Sequence, residues 1–114
     1  MELVEHLHGA VRVASVSGRI DQTTAAQFQN LLAPLLETVK AGAAPLLLDF
    51  SGVDYISSVG LRVLMLAARQ IKAQQGTIAI AALTPMVAEV FQISRFHLVF
   101  PVHPDVATAV ASLG

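Results

Sequence analysis

The stretch Pro45-Leu46-Leu47-Leu48-Asp49-Phe50-Ser51-Gly52-Val53-Asp54-Tyr55-Ile56-Ser57-Ser58-Val59-Gly60-Leu61-Arg62 decides the fold. Its first six residues form a short apolar run, the pattern of a strand buried on both faces, and predict the centre of a sheet. A polar loop is expected over Ser51 to Ser58. A long helix follows to about Gln75. A strand buried on both faces needs layers on both sides, so the rest of the chain must supply them.

Upstream, residues 2–8 alternate loosely and reach a turn signal at His8-Gly9. Val11, Val13 and Val16, with Ser15 and Ser17 between them, predict a second strand, so the chain opens as a hairpin. Asp21-Gln22-Thr23-Thr24 is a cluster of helix-capping residues. Behind it, Phe28, Leu31, Leu32, Leu35, Leu36 and Val39 recur at spacings of three and four, which predicts an amphipathic helix closing near Gly42. Pro34 inside it removes a hydrogen bond, so a kink or break is expected there. Downstream of Gly76 lies a strand over Thr77–Ala81. Thr84-Pro85 opens a third helix to about Ile93. His97 to Phe100 is expected as a last short strand and Pro104 to Leu113 as a final helix. This alternation predicts an α/β fold: one domain over residues 1–114, with a mostly parallel, mixed sheet of four or five strands and about four helices. Right-handed crossovers would bring the ends of the second and third strands to one edge. Asp21 and Ser57-Ser58 are therefore expected to be neighbours.

Composition limits function. The chain has 114 residues, 13% of them charged, about half the ~25% of an ordinary soluble domain. Much of the surface must then be apolar or small and neutral, which invites a protein partner. A formal net charge of −1 with no Lys/Arg cluster gives no counterion-releasing stripe, so nucleic acid is not an expected partner. The absence of cysteine removes disulfides, thiolate metal sites and a thiol nucleophile, and fits a reducing compartment. No secretory signal is visible at Met1-Glu2-Leu3-Val4-Glu5-His6. The longest uncharged stretch, Ala73 to Ala88, falls short of the ~20 apolar residues of a spanning helix. The expectation is a soluble, cytoplasmic protein with no membrane contact.

Two hydroxyls stand at the start of the second long helix. The first N–H groups of a helix lack internal partners and the helix dipole is positive there, so a phosphorylated serine would be tolerated. Ser57 is the better N-cap, its oxygen turned back to the helix amides, and Ser58 would sit in the first turn with a freer hydroxyl. Gly60 is expected to leave space for an incoming group. The plainer alternative is a serine-capped helix with no other role. Leu61, Leu64, Met65, Ala68 and Ile71 form the core-facing stripe of this helix. Val59, Val63 and Leu66 form a second stripe almost opposite. That stripe is either an exposed docking strip for a partner or a face covered by neighbouring helices or by a second copy. Arg62 either pairs with a phosphate in the first turn or is a solvated surface charge. His6 and His8 share one face of a strand, but no third metal ligand is apparent, so no metal site is expected. Ser58, Asp21 and His97 could be named as a hydrolase triad, yet there is no Gly-x-Ser-x-Gly elbow. No phosphate-binding glycine loop occurs, so no nucleotide cofactor is expected. Met65 and Met86 lie at helical core spacing.

The sequence resembles the anti-sigma-factor antagonist family, whose fold is the STAS domain. The resemblance runs through Gly18-Arg19-Ile20-Asp21, through Asp49-Phe50-Ser51 to Gly60-Leu61, and through Leu83-Thr84-Pro85 to Phe91 and Ser94. It implies a bacterial regulator whose phosphoacceptor serine falls on Ser58, with Ser57 as runner-up. Many members carry Asp before the phosphoacceptor and Ser or Thr after it, where this chain has Ser57 and Val59. The implied partners are an anti-sigma factor that acts as a serine kinase, bound by the unphosphorylated form, and a metal-dependent serine phosphatase that restores that form. Asp21 matches a family position beside the serine and also reads as a helix cap. Asp21, Ser57, Ser58, Val59, Gly60, Arg62, Val63 and Leu66 are thus the expected contact residues of a monomer or weak dimer without catalysis of its own. The alternative is a non-phosphorylated STAS subunit of a larger assembly such as a lipid-transport ATPase.

Overall fold

A computed structural model describes all residues, Met1–Gly114. Five strands form one sheet in the order β1-β2-β3-β4-β5: β1 (Glu2–His8), β2 (Val11–Ile20), β3 (Leu46–Ile56), β4 (Ile78–Ala81) and β5 (Val102–His103). β1 and β2 pair antiparallel across the turn at Gly9, and the other three pairings are parallel. Three helices link the parallel strands, α1 (Ala25–Leu36), α2 (Ser58–Ala73) and α3 (Pro85–Ile93), and a fourth, α4 (Val106–Leu113), follows β5. The expected mixed α/β sheet, with the apolar run at its centre, is what forms.

The two faces of the sheet are unequal. A 25-residue cluster, including Phe28, Phe50, Leu64 and Phe91, fills the space between the sheet and α1, α2 and α3. Phe28, Phe50, Phe91 and Phe96 run through it edge to face, with successive ring centroids 6.4, 6.5 and 5.7 Å apart, a favoured aromatic geometry. A smaller cluster of Val11, Val13, Leu47, Ala79, Ala81 and Ala109 lies under α4 alone. Leu46 and Leu48 face the first cluster and Leu47 the second, so both faces of β3 are buried.

Several boundaries differ from the sequence reading. β3 does not stop at Phe50 but continues through the expected loop to Ile56. Between Ser15↔Asp49 and Ser17↔Gly52 the chain takes two steps on β2 and three on β3; between Gly18↔Val53 and Arg19↔Tyr55 it takes one and two. Each shift leaves an extra residue on β3, and such bulges break the alternation by which a strand is recognised. Gly52 is required at the first bulge, since a Cβ there would lie 2.8 Å from the Ser17 Cβ.

α1 ends at Leu36, two residues after Pro34, and not near Gly42. The amides of Thr38 and Val39 then turn back to the carbonyls of Leu35 and Leu36, so the proline is followed within a turn by the end of the helix. The segment expected as a strand over His97–Phe100 is instead a 3-10 helix at Phe96–Leu98, with β5 displaced to Val102–His103. Phe96 and Phe100 both point into the core, a spacing of four that a strand cannot serve from one face without also burying Leu98, which is exposed. Met86 is also exposed, on the outer side of α3, whereas Met65 packs partly against the core. No helix is long and apolar enough to cross a membrane.

Candidate functional site

β2 and β3 are parallel and end together at Ile20↔Ile56, so the residues that follow each strand meet at one sheet edge. The Ser57 amide donates to the Ile20 carbonyl at 2.8 Å and ties the two exits together. Asp21 and Ser57-Ser58 are brought together as expected. They line an open depression of about 380 Å³ with Arg19, Gln22, Thr23 and Tyr55.

Ser57 is the N-cap of α2. Its backbone is extended, and its hydroxyl accepts from the Gly60 amide at 3.3 Å, which commits that oxygen inward. Ser58 is the first helical residue and is exposed, and its hydroxyl makes no hydrogen bond within the chain. The amides of Ser58 and Val59 likewise find no partner within the chain, as expected of a helix start. The structure thus separates the two serines: one holds the helix and the other is presented to solvent.

Asp21 does not cap α1 directly. Its Oδ1 accepts from the Thr23 amide at 3.0 Å and the Thr23 hydroxyl at 2.7 Å, and more weakly from the Thr24 amide and hydroxyl, both at 3.3 Å. It organises the turn before the helix, while Thr24 is the N-cap residue. The Thr23 hydroxyl and amide hold the Asp21 carboxyl below the usual carboxylate range, with smaller help from Thr24 against some desolvation. Its other oxygen, Oδ2, faces the Arg19 Nε at 3.5 Å. The Arg19 guanidinium lies 4.3 Å above the centre of the Tyr55 ring, a cation–π stack that orients an otherwise free side chain.

Two expected contact residues are buried within the domain. Val63 is only 7% exposed, because α1 lies across that side of α2 and covers it. Gly60 is buried and leaves no space for a visitor. A Cβ on it would lie 2.6 Å from Ile20 Cγ2 and 2.8 Å from Ile56 Cγ1, so the glycine lets α2 press against the strand ends. The exposed strip of α2 is Val59, Arg62 and Leu66, at helical spacings of three and four. Arg62 therefore sits between two apolar neighbours on the outer face and outside the serine depression. His97 is not brought to Ser58 and Asp21. It lies on the 3-10 helix with its Nδ1 3.5 Å from the Phe91 carbonyl oxygen, so the triad has no geometric basis. His6 and His8 lie exposed on β1.

Arg19 and Tyr55 are the site residues the sequence reading missed. They face one another in the β2–β3 register, but only because both bulges precede them. The unbulged offset that pairs Arg12 with Leu46 would have set Arg19 against Val53.

These features define a small α/β module with a serine-bearing helix entrance beside an acidic turn. The chain belongs to the STAS domain family, whose model matches residues 3–109. BtrV of Bordetella bronchiseptica, assigned as an anti-sigma factor antagonist, is 38% identical over 100 residues, spanning 88% of this chain and 84% of that protein. An anti-sigma factor antagonist of Mycobacterium paratuberculosis has the same fold, with a TM-score of 0.85 at 23% identity over 98% of this chain and 92% of its own. The Bacillus cell fate determinant SpoIIAA in its phosphorylated form superposes with a TM-score of 0.70 at 16% identity over 99% of this chain and 100% of its own.

Proposed function

We propose that the protein is an anti-sigma factor antagonist, a cytoplasmic single-domain binding module controlled by phosphorylation of Ser58. Its unphosphorylated form captures an anti-sigma factor that is also its serine kinase, a metal-dependent serine phosphatase reverses the modification, and the domain itself catalyses nothing. The observation that carries this reading is the division of labour between the two serines: Ser57 is committed to the Gly60 amide, and Ser58 is free, exposed and at a positively polarised helix entrance. Family membership and the 38% identity to BtrV support it. The docking surface is the exposed strip Val59, Arg62 and Leu66 together with the Asp21 turn. A phosphate on Ser58 adds about −1.5 to −2 charges in the depression that already holds the Asp21 carboxylate. Arg19 is the cation nearest to hand there, so it takes the phosphate-pairing role first considered for Arg62.

Incubation with the cognate kinase and ATP, followed by peptide mass spectrometry, tests the proposal. One phosphate per chain is expected, on Ser58. Ser58→Ala should bind the kinase constitutively and Ser58→Asp should lose it. Phosphate on Ser57, or an unmodified chain beside an active kinase, would overturn the assignment.

A further inference from the structure

The two edges of the sheet differ. β5 exposes only two residues of edge, a length too short to template another strand. β1 exposes seven, in unbroken register with β2, without proline, lysine or bulge, and the charges on it are the carboxylates of Glu2 and Glu5. Its outer N–H and C=O groups have no neighbouring strand, and Val4 and Leu7 are 57% and 70% exposed.

We propose that β1 is the seam of a two-fold dimer, in which a second copy of this chain adds its own β1 antiparallel and makes one ten-stranded sheet. In an antiparallel pair, facing residues must both send their backbone groups across the seam or both send them away. A strand therefore meets its own copy only in registers centred on a residue, and those that pair five or more residues are centred on Val4, Glu5 or His6. Centring on Glu5 is the register that engages all seven residues. It sets Leu3 opposite the partner's Leu7 twice, and Glu2 opposite the partner's His8 twice, a carboxylate against an imidazole that can donate to it. The two Glu5 side chains would face each other, and each is already neutralised by its own Arg12, with Nε 3.0 Å from Oε2. Leu3 packs on the main core and shares the face of Val16 and Ala14 through the β1–β2 register. The paired leucines would thus carry that core across the seam. The other two registers leave part of the strand unpaired and match Leu3 or Leu7 with Glu5. Ser58 lies on the far side of β2, at the helix entrance, and remains free to be modified in the dimer.

The chain's lack of cysteine makes the register directly testable. Facing Cα atoms in an antiparallel pair are about 4.5–5.5 Å apart, inside the range a disulfide spans. Single variants Val4→Cys, Glu5→Cys and His6→Cys each face themselves in one register only. Under mild oxidation, Glu5→Cys should form covalent dimer at least tenfold faster than the other two, and equal rates at all three positions would overturn the proposal. In sedimentation equilibrium the wild type should rise from 12.0 kDa toward twice that mass with concentration. Leu7→Lys should weaken association at least tenfold, with a circular-dichroism melt that matches the wild type's at dilutions where both are monomeric. A wild type that stays at 12.0 kDa up to millimolar concentration, or a Leu7→Lys that associates like it, would also refute the seam.

Discussion

Replacing Gly60 by alanine sets two opposite effects against each other. In an unconstrained helix interior the change stabilises by about 1 kcal/mol, since glycine is the poorest helix former after proline. Here the new methyl would lie 2.6 Å from Ile20 Cγ2 and 2.8 Å from Ile56 Cγ1, with the Ile20 carbonyl oxygen at 3.3 Å. Ile20 and Ile56 are 0% and 2% exposed and have nowhere to swing. The Ile20 methyl is also fixed by β-branching. The carbon–carbon contacts fall roughly 0.8–1 Å short of ordinary separation, and overpacking of this kind costs about 1–3 kcal/mol. The net expectation is a loss of about 1 kcal/mol. With unfolding entropy near 2.1 cal/mol/K per residue, a chain of 114 residues loses about 4 °C of Tm per kcal/mol. Thermal and urea melts followed by far-ultraviolet circular dichroism read that change. A rise in Tm, the sign that helix propensity alone dictates, would refute the argument that α2 is pressed onto the strand ends through this glycine. The same retreat of α2 should slow phosphorylation of Ser58, because the serine rides on the turn that moves.

Val63→Asp should leave the domain largely unfolded, since it loses about 1.5–3 kcal/mol of apolar burial and adds an unpaired buried carboxylate worth several more, against a total stability of about 5–15 kcal/mol. Leu66→Asp, at a position 41% exposed, should melt within about 1 kcal/mol of wild type and lose kinase binding in a pull-down; retained binding would remove Leu66 from the docking strip. Ser57→Ala should cost about 1 kcal/mol in a urea melt through loss of the cap, with Ser58 still phosphorylated. The Asp21 carboxyl should titrate below the usual aspartate value when followed by carbon-13 NMR, and Thr23→Ala should raise its midpoint; an unmoved midpoint would show that the Thr23 hydroxyl is not the cause. Because the native value is depressed, the stability Asp21 contributes is complete above its unfolded-state pKa and is lost as pH falls through the native one, below about pH 4.

What the sequence made legible followed from periodicity and from caps. The apolar run at 46–48, the three-and-four spacing of Phe28, Leu32, Leu35 and Leu36, and the Thr84-Pro85 helix start each lie on one local pattern, and each is where the structure has it. The meeting of Asp21 with Ser57-Ser58 followed from crossover handedness alone. What was illegible depended on two elements at once. The β3 bulges break the alternation and so hid both the last six residues of the strand and the pairing of Arg19 with Tyr55. Val63 repeats with Val59 on a helical wheel, but its burial is decided by where α1 lies, and a wheel does not contain that. Gly60 looked like a gap for the same reason: only the distance to Ile20 and Ile56 shows that the space is filled.

On the proposed reading, a phosphate on Ser58 acts without unfolding the domain. A negative group in the first turn of α2 lies at the positive end of the helix dipole, where exposed charges are favoured by about 0.3–1 kcal/mol, and Arg19 shares its depression. The free protein therefore tolerates the modification. In the complex the same group must be stripped of water beside Asp21, a carboxylate that is ionised at neutral pH as any ordinary aspartate is. Moving a partner from 99% bound to 99% free takes about 5.5 kcal/mol, and stripping an ion of water to bury it in an interface costs several kcal/mol, which pairing with Arg19 repays only in part. The phosphate thus has opposite effects on the free domain and on the complex. That difference in sign is sufficient for a switch, so neither α2 nor the strand ends beneath it need to change conformation for the partner to be released.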